Sequence, residues 1–230
     1  LKRLPESVSV YEGYLTRHSD SVNARYNYAY YLSRAGQYEE AVKQYELLLR
    51  QKVEKPEEIY LNLAKILSER FHKHEVGREY LEKALSSNSL YAPAWFNLGN
   101  LNEQFGDLAE AKSCFEKVID IADDGGALAR IADLTRFDSD PDHQLIEQMQ
   151  EKLAQGRNPN PDLMFSLGRA YEQIGEHKRS LELYESANII DWQYLPIYNK
   201  DLMTKLVERI VEEYSAQEGN KSIRKDLGQV

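Results

Sequence analysis

A three-residue pattern recurs in this chain at a fixed step of 35 residues. Asn-Tyr-Ala stands at 27–29, Asn-Leu-Ala at 62–64 and Asn-Leu-Gly at 97–99. A period of this length is typical of arrays in which each repeat is a helix pair that buries its apolar face against the next pair. The sequence therefore predicts an all-α superhelical solenoid of antiparallel helix pairs.

The repeat that contains Trp95 shows the pattern most completely. Small residues at Gly99 and Ala111 allow its two helices to approach each other closely. Phe115 and Val118 then extend the apolar face of the second helix. The spacing resembles the tetratricopeptide-repeat signature, W-x2-L-G-x2-Y followed by A-x3-F. The same frame fits three other repeats, which are marked by Tyr28, Ala29, Gly36, Ala41 and Tyr45, by Leu63, Ala64, Leu81 and Ala84, and by Leu167, Gly168, Tyr171 and Tyr184.

The frame predicts the organisation of the whole chain. We expect a solenoid over residues 1–215, with repeats near 22–56, 57–91, 92–125 and 161–194 and a degenerate repeat at 126–160. A partial repeat at 5–20 precedes them, which suggests that the chain is a piece of a longer one. An apolar stripe predicts a capping helix at 199–215, and a polar tail follows at 216–230.

Composition limits the compartment and the classes of partner. The net charge of −9 does not suit a nucleic-acid-binding protein, because a phosphate backbone requires a basic face. No apolar run is long enough for a membrane span. A single cysteine, Cys114, excludes an internal disulfide and indicates a reducing compartment, so we expect a cytoplasmic protein.

Two clusters could suggest a metal site. Asp138, Asp140 and Asp142 alternate as in a calcium loop, but the required Gly and Glu are replaced by His143 and Met149. We therefore predict a helix start, with Asp140 as its N-cap and a proline following it.

The second cluster is His72 and His74, which lack further ligands at suitable spacing, so we predict an exposed turn. Cys114 lies beside Phe115 and is predicted to be a packed side chain. No phosphate-binding loop or nucleophile motif is present. We expect no catalytic residue, no metal and no cofactor in this chain.

The resemblance to tetratricopeptide repeats implies a binding surface. In that family the first helix of each repeat lines the concave face. Carried onto this sequence, its outward positions give a candidate peptide-binding groove of Tyr26, Asn27, Tyr30, Arg34, Asn62, Lys65, Asn97, Asn100, Arg130 and Arg169. The three asparagines Asn27, Asn62 and Asn97 have two interpretations. Either they form an amide ladder that bonds the backbone of a peptide, or asparagine is simply common at that position of the repeat.

The basic members of this groove suit an acidic or C-terminal peptide. One family subtype grips a C-terminal carboxylate with Lys and Asn, where this chain has Tyr26 and Tyr30, which disfavours that particular clamp. The resemblance thus implies a scaffold whose concave face binds a peptide or a partner domain.

A second resemblance lies in the later half. The segments 132–146, 167–171 and 184–188 are similar to the helical arm that precedes the catalytic domain in bacterial tetratricopeptide sulfotransferases. That resemblance implies an alternative function, in which the chain is the arm of a sulfotransferase whose catalytic domain lies outside this sequence.

Overall fold

The computed structural model describes residues 4–138, 143–156 and 160–194, with side chains to residue 190. Over these ranges the chain forms eleven α-helices and no strand, which confirms the all-α fold. The helices are α1 (Leu4–Leu15), α2 (Val22–Arg34), α3 (Tyr38–Arg50), α4 (Glu57–Glu69), α5 (His74–Ser87), α6 (Ala92–Phe105), α7 (Leu108–Ala122), α8 (Gly125–Asp133), α9 (His143–Gln155), α10 (Pro161–Gln173) and α11 (His177–Tyr194).

The chain divides into two compact units, Leu1–Ala187 and Asn188–Val230. All contacts discussed below lie in the first unit. The structure describes the second unit only as far as Tyr194, where α11 ends. The predicted capping helix at 199–215 and the polar tail therefore lie outside the described residues. The proposed N-cap Asp140 does as well.

Helices α2, α4, α6, α8 and α10 are the first helices of successive pairs, and each packs on the helix that follows it in its pair or on the neighbouring pair. Side-chain N-caps begin three of them. Ser21, Asp124 and Asn160 accept hydrogen bonds from the backbone N–H groups of Ala24, Ala127 and Leu163. Such caps pair amide groups that the first turn of a helix leaves without partners.

The turn inside a pair requires a left-handed residue. Gly36, Gly106 and Gly175 occupy this place in three pairs, with φ between 80° and 85°. In the pair α4–α5, whose turn is one residue longer, His72 adopts the left-handed conformation instead, with φ of 54°. His72 is exposed there, as the sequence predicts, but His74 is half-buried because it is the first residue of α5 and packs against Phe105.

The two helices of a pair approach most closely at the glycine of the signature. A Cβ atom on Gly99 would lie 2.7 Å from Cε1 of Phe115, which is fully buried. Gly168 faces the ring of Tyr184 in the same way, at 2.6 Å. The signature glycine therefore leaves the space that the aromatic residue of the second helix fills.

The degenerate repeat departs from the others in its first helix. Helix α8 has nine residues and is followed by a segment without helix up to 138. Phe137 in this segment is fully buried, and its backbone N–H donates a hydrogen bond of 2.8 Å to Oε1 of Gln173. Phe137 therefore belongs to the core that joins α7 to α10, a role that the repeat frame does not predict.

Candidate functional site: the face of the first helices

All ten predicted groove residues lie on first helices, and three clefts between these helices contain eight of them. The amino-terminal cleft, between α2 and α4, has Tyr30, Arg34, Asn62 and Lys65 in its lining. The middle cleft, between α4 and α6, shares Lys65 and adds Asn97 and Asn100. The carboxyl-terminal cleft, formed by α6, α8 and α10, includes Arg130 and Arg169. We call the side of the first helices that carries these clefts the groove face.

Tyr26 and Asn27 lie outside these three clefts. The Tyr26 hydroxyl donates a 2.5 Å hydrogen bond to Oε1 of Glu58 and accepts one of 3.1 Å from Nδ2 of Asn62. Burial raises the pKa of the Tyr26 phenol, and the Glu58 carboxylate raises it further, so the phenol stays protonated and continues to donate. This network joins α2 to α4, which indicates that Tyr26 and Asn62 help to fix the spacing of the two helices.

The carboxyl-terminal cleft contains an ion-pair cluster. Arg130 pairs with Glu103 and lies 3.7 Å from Asp133. Arg169 pairs with Asp133 at 2.9 Å and donates a hydrogen bond to the carbonyl oxygen of Ala132. The sequence suggests two cations for an acidic ligand, but the structure has both of them paired with carboxylates of this chain. The reason is that successive first helices bring acidic positions of α6 and α8 next to them.

We expect Asp133→Asn to destabilise the protein by about 1 kcal/mol. Asp133 is the carboxylate shared by Arg130 and Arg169, and its Oδ1 also accepts a 2.9 Å hydrogen bond from the Ser166 hydroxyl. The amide retains an acceptor but loses the charge. Thermal denaturation in low and high salt measures the effect, and the difference between variant and parent should shrink in high salt. A difference independent of salt would contradict the ion-pair account.

Most of the residues that line the middle cleft are polar. Lys65, Asn100 and Gln104 line it, and none of the hydrogen bonds or ion pairs among the described residues involves their side chains. Asn97 donates from Nδ2 to the carbonyl oxygen of Pro93 in its own helix at 2.8 Å. Since Asn62 is bonded to Tyr26, the three asparagines do not present a uniform row of free amides.

The amino-terminal cleft has a different electrostatic character. Its cations are Arg34, Lys65 and Arg70, and Glu69 is the acidic residue in its lining. The groove positions of the repeat do not include Arg70, because it follows the last residue of α4 rather than lying on its outward stripe. No signal in the sequence distinguishes it from other exposed arginines.

Cys114 is buried and close to Asn102, whose Nδ2 lies 3.6 Å from Sγ. Burial raises the pKa of its thiol, so less thiolate is present at a given pH than for a free cysteine. We expect a thiol reagent at pH 8 to modify the folded protein at least about a hundredfold more slowly than the unfolded one. Equal rates in the presence and absence of guanidinium chloride would show that the site is open.

The described residues contain no group of three or more His, Cys, Asp or Glu side chains that could hold a metal ion. The rings of His72 and His74 are 6.0 Å apart, and His74 packs edge-on against Phe105. No helix within 4–138, 143–156 and 160–194 has the length and hydropathy needed to cross a bilayer.

Comparisons with known proteins agree with this architecture. Three segments, residues 2–56, 92–124 and 163–187, match family models described as tetratricopeptide repeats. No curated protein matches the sequence. These matches identify tetratricopeptide repeats in the first unit, whose helix pairs follow the solenoid plan of that repeat.

Several solved structures share the fold. A tetratricopeptide repeat protein from Parabacteroides merdae is 19% identical with a TM-score of 0.58, over 90% of this chain and 77% of that chain. A double mutant of MamA from RS-1 is 18% identical with a TM-score of 0.57, over 76% and 97% of the two chains. YrrB, described as a TPR protein with an unusual peptide-binding site, is 15% identical with a TM-score of 0.55, over 77% and 90%.

Proposed function

We propose that the chain is a protein-interaction scaffold that binds an extended peptide segment of a partner along the groove face. The observation that carries the proposal is the row of clefts between successive first helices, which continues from α2 to α10. An extended peptide lying across these clefts can place alternate side chains in them. YrrB, which shares the fold, is described as having a peptide-binding site, and this supports the same use of the fold here.

The middle cleft supplies the polar groups for such a ligand. Lys65, Asn100 and Gln104 have donors that are not engaged with other described side chains. The backbone of an extended peptide has unpaired carbonyl and N–H groups, and amide side chains both donate and accept hydrogen bonds. Binding through Lys65, Asn100 and Gln104 therefore requires no rearrangement of an existing hydrogen bond. A carboxylate that enters the carboxyl-terminal cleft instead competes with Glu103 and Asp133.

A random peptide library selected on the immobilised chain tests the proposal. We expect selected peptides to bind in solution, and we expect the double variant Asn100→Ala with Gln104→Ala to weaken their binding by about tenfold. The matched control is Glu79→Ala with Lys83→Ala on α5, a second helix. If no peptide binds, or if both double variants weaken binding equally, the groove face is not the binding surface.

The alternative, an arm of a sulfotransferase, stays a prediction of the sequence. None of the comparisons reported above connects the chain with such arms. The most assembled charged cluster among the described residues, Arg130 with Glu103 and Asp133, is paired internally. Catalysis requires a nucleophile, acid or base converging on an open pocket, and we propose that binding is the activity of this chain.

A further inference from the structure

The amino-terminal cleft holds three cations without carboxylate partners. Among the ion pairs of the described residues, none includes Arg34, Lys65 or Arg70. Glu69 is the one carboxylate in the same lining, so the cleft carries a net positive charge. The net charge of the chain is −9, so this concentration of unneutralised positive charge contrasts with the rest of the protein.

Aromatic rings hold two of these cations in place. The Arg34 guanidinium lies 5.8 Å from the centre of the Tyr30 ring and donates a 3.1 Å hydrogen bond to its hydroxyl. The Arg70 guanidinium lies 5.2 Å from the centre of the Tyr38 ring. Stacking restrains a guanidinium while leaving most of its N–H groups available for an anion. The cleft is therefore partly organised for a carboxylate before any ligand arrives.

The positions of the cations indicate which carboxylates fit. Lys65 lies on α4 and Arg70 directly follows its last residue, and both line the same cleft. In an extended peptide, side chains at positions i and i+2 point to the same side and lie about 7 Å apart. A C-terminal carboxylate presents its charge at one point, whereas this cleft distributes its cations along α4 and on the opposite wall at Arg34.

We propose that the amino-terminal cleft binds two acidic side chains, at positions i and i+2, of an extended peptide segment in a partner. Lys65 and Arg70 each receive one carboxylate, and Arg34 contacts them from α2. The cleft has a volume of about 340 Å³, which suits side chains rather than a folded element. This inference rests on the proposed function, since it names the chemistry of the peptide that the groove face takes.

Three fluorescent seven-residue probes test the inference. The first has blocked ends and Glu at positions 3 and 5, separated by Tyr. The second replaces both Glu residues by Gln, and the third has the Gln sequence with a free C-terminal carboxylate. Fluorescence anisotropy at low salt should show the first probe binding at least about tenfold more tightly than the other two. Its affinity should fall as the salt concentration rises.

The decisive variant is the triple change Arg34→Gln, Lys65→Gln and Arg70→Gln. Its matched control, Lys43→Gln, Lys83→Gln and Lys117→Gln, removes the same charge from the second helices α3, α5 and α7. We expect the triple variant to lose at least about tenfold in affinity for the first probe and the control to lose less than about twofold. Lys65→Gln alone, at an exposed side chain, is the second variant, and about a threefold loss is expected for it.

Several results would overturn the inference. They are no binding of the first probe, equal binding of the Gln probe, preference for the free C-terminal carboxylate, or equal losses in the triple variant and its control. Library peptides could bind the groove face, contain no acidic pair and bind the triple variant as tightly as the parent protein. In that case the inference fails while the proposed function stands. If no library peptide binds, the proposed function fails as well.

Discussion

Replacing Phe115 by alanine is expected to lower the stability of the protein by about 3–5 kcal/mol. The ring is fully buried, it packs edge-on against Phe96 with centroids 5.5 Å apart, and it fills the space above Gly99. It also lies in the core cluster that joins α7 to α8, α9 and α10, so its removal opens a cavity between adjacent repeats. Urea denaturation followed by circular dichroism measures the loss.

The control for this experiment is Phe105→Ala. Phe105 is also aromatic and is the last residue of α6, but 49% of it is exposed, so its loss should cost no more than about 1 kcal/mol. Similar midpoints for Phe115→Ala and the parent protein would contradict the packing of the repeat described above.

The Gly99→Leu variant is expected to be destabilised by about 3 kcal/mol through overpacking. A Cβ atom at this position would already lie 2.7 Å from the Phe115 ring, and the ring has no exposed side toward which to move. The double variant Gly99→Leu with Phe115→Ala should therefore cost less than the sum of the two single variants, because the new side chain enters the cavity left by the ring. Thermal and urea denaturation of all three variants give this comparison.

Gly13→Leu is the matched control. Gly13 lies in helix α1, and a Cβ atom added there meets nothing within 4 Å. Leucine is a better helix former than glycine by about 0.8 kcal/mol, so this variant should be as stable as the parent or more stable. Equal destabilisation at both glycines would show that leucine harms the fold in general, and would contradict overpacking against Phe115 as the cause of the loss at Gly99.

The repeat frame predicts the fold because the period of the sequence reflects how the two helices of each pair pack together. Gly99 and Phe115 are placed 16 residues apart by the signature, and the structure shows the contact that makes this spacing necessary. The frame predicts less where a repeat departs from it. Phe137 stands after the end of a short first helix. Its ring is buried in the core, and its backbone N–H is bonded to Gln173 in the following repeat, which no local pattern indicates.

The sequence predicts the positions of the candidate site residues but not the charges that surround them. The repeat frame identifies Arg34, Lys65, Arg130 and Arg169 as a basic set on first helices. It gives no information on which carboxylates the neighbouring repeats bring near them. The structure divides this set, since Arg130 and Arg169 are paired with acidic side chains and Arg34 and Lys65 are not. Arg70, the residue that follows α4, lines the same cleft as Arg34 and Lys65.

The peptide ligand is expected to bind on the side of the solenoid that the first helices form. The binding side can be measured with a selected peptide that carries a nitroxide spin label and is bound to the isotopically labelled protein. The label broadens the assigned amide signals near it in NMR spectra. We predict broadening along the first helices α2, α4 and α6, with the signals on the outer sides of α3, α5 and α7 unaffected. Broadening concentrated on α3, α5 and α7 would contradict the account.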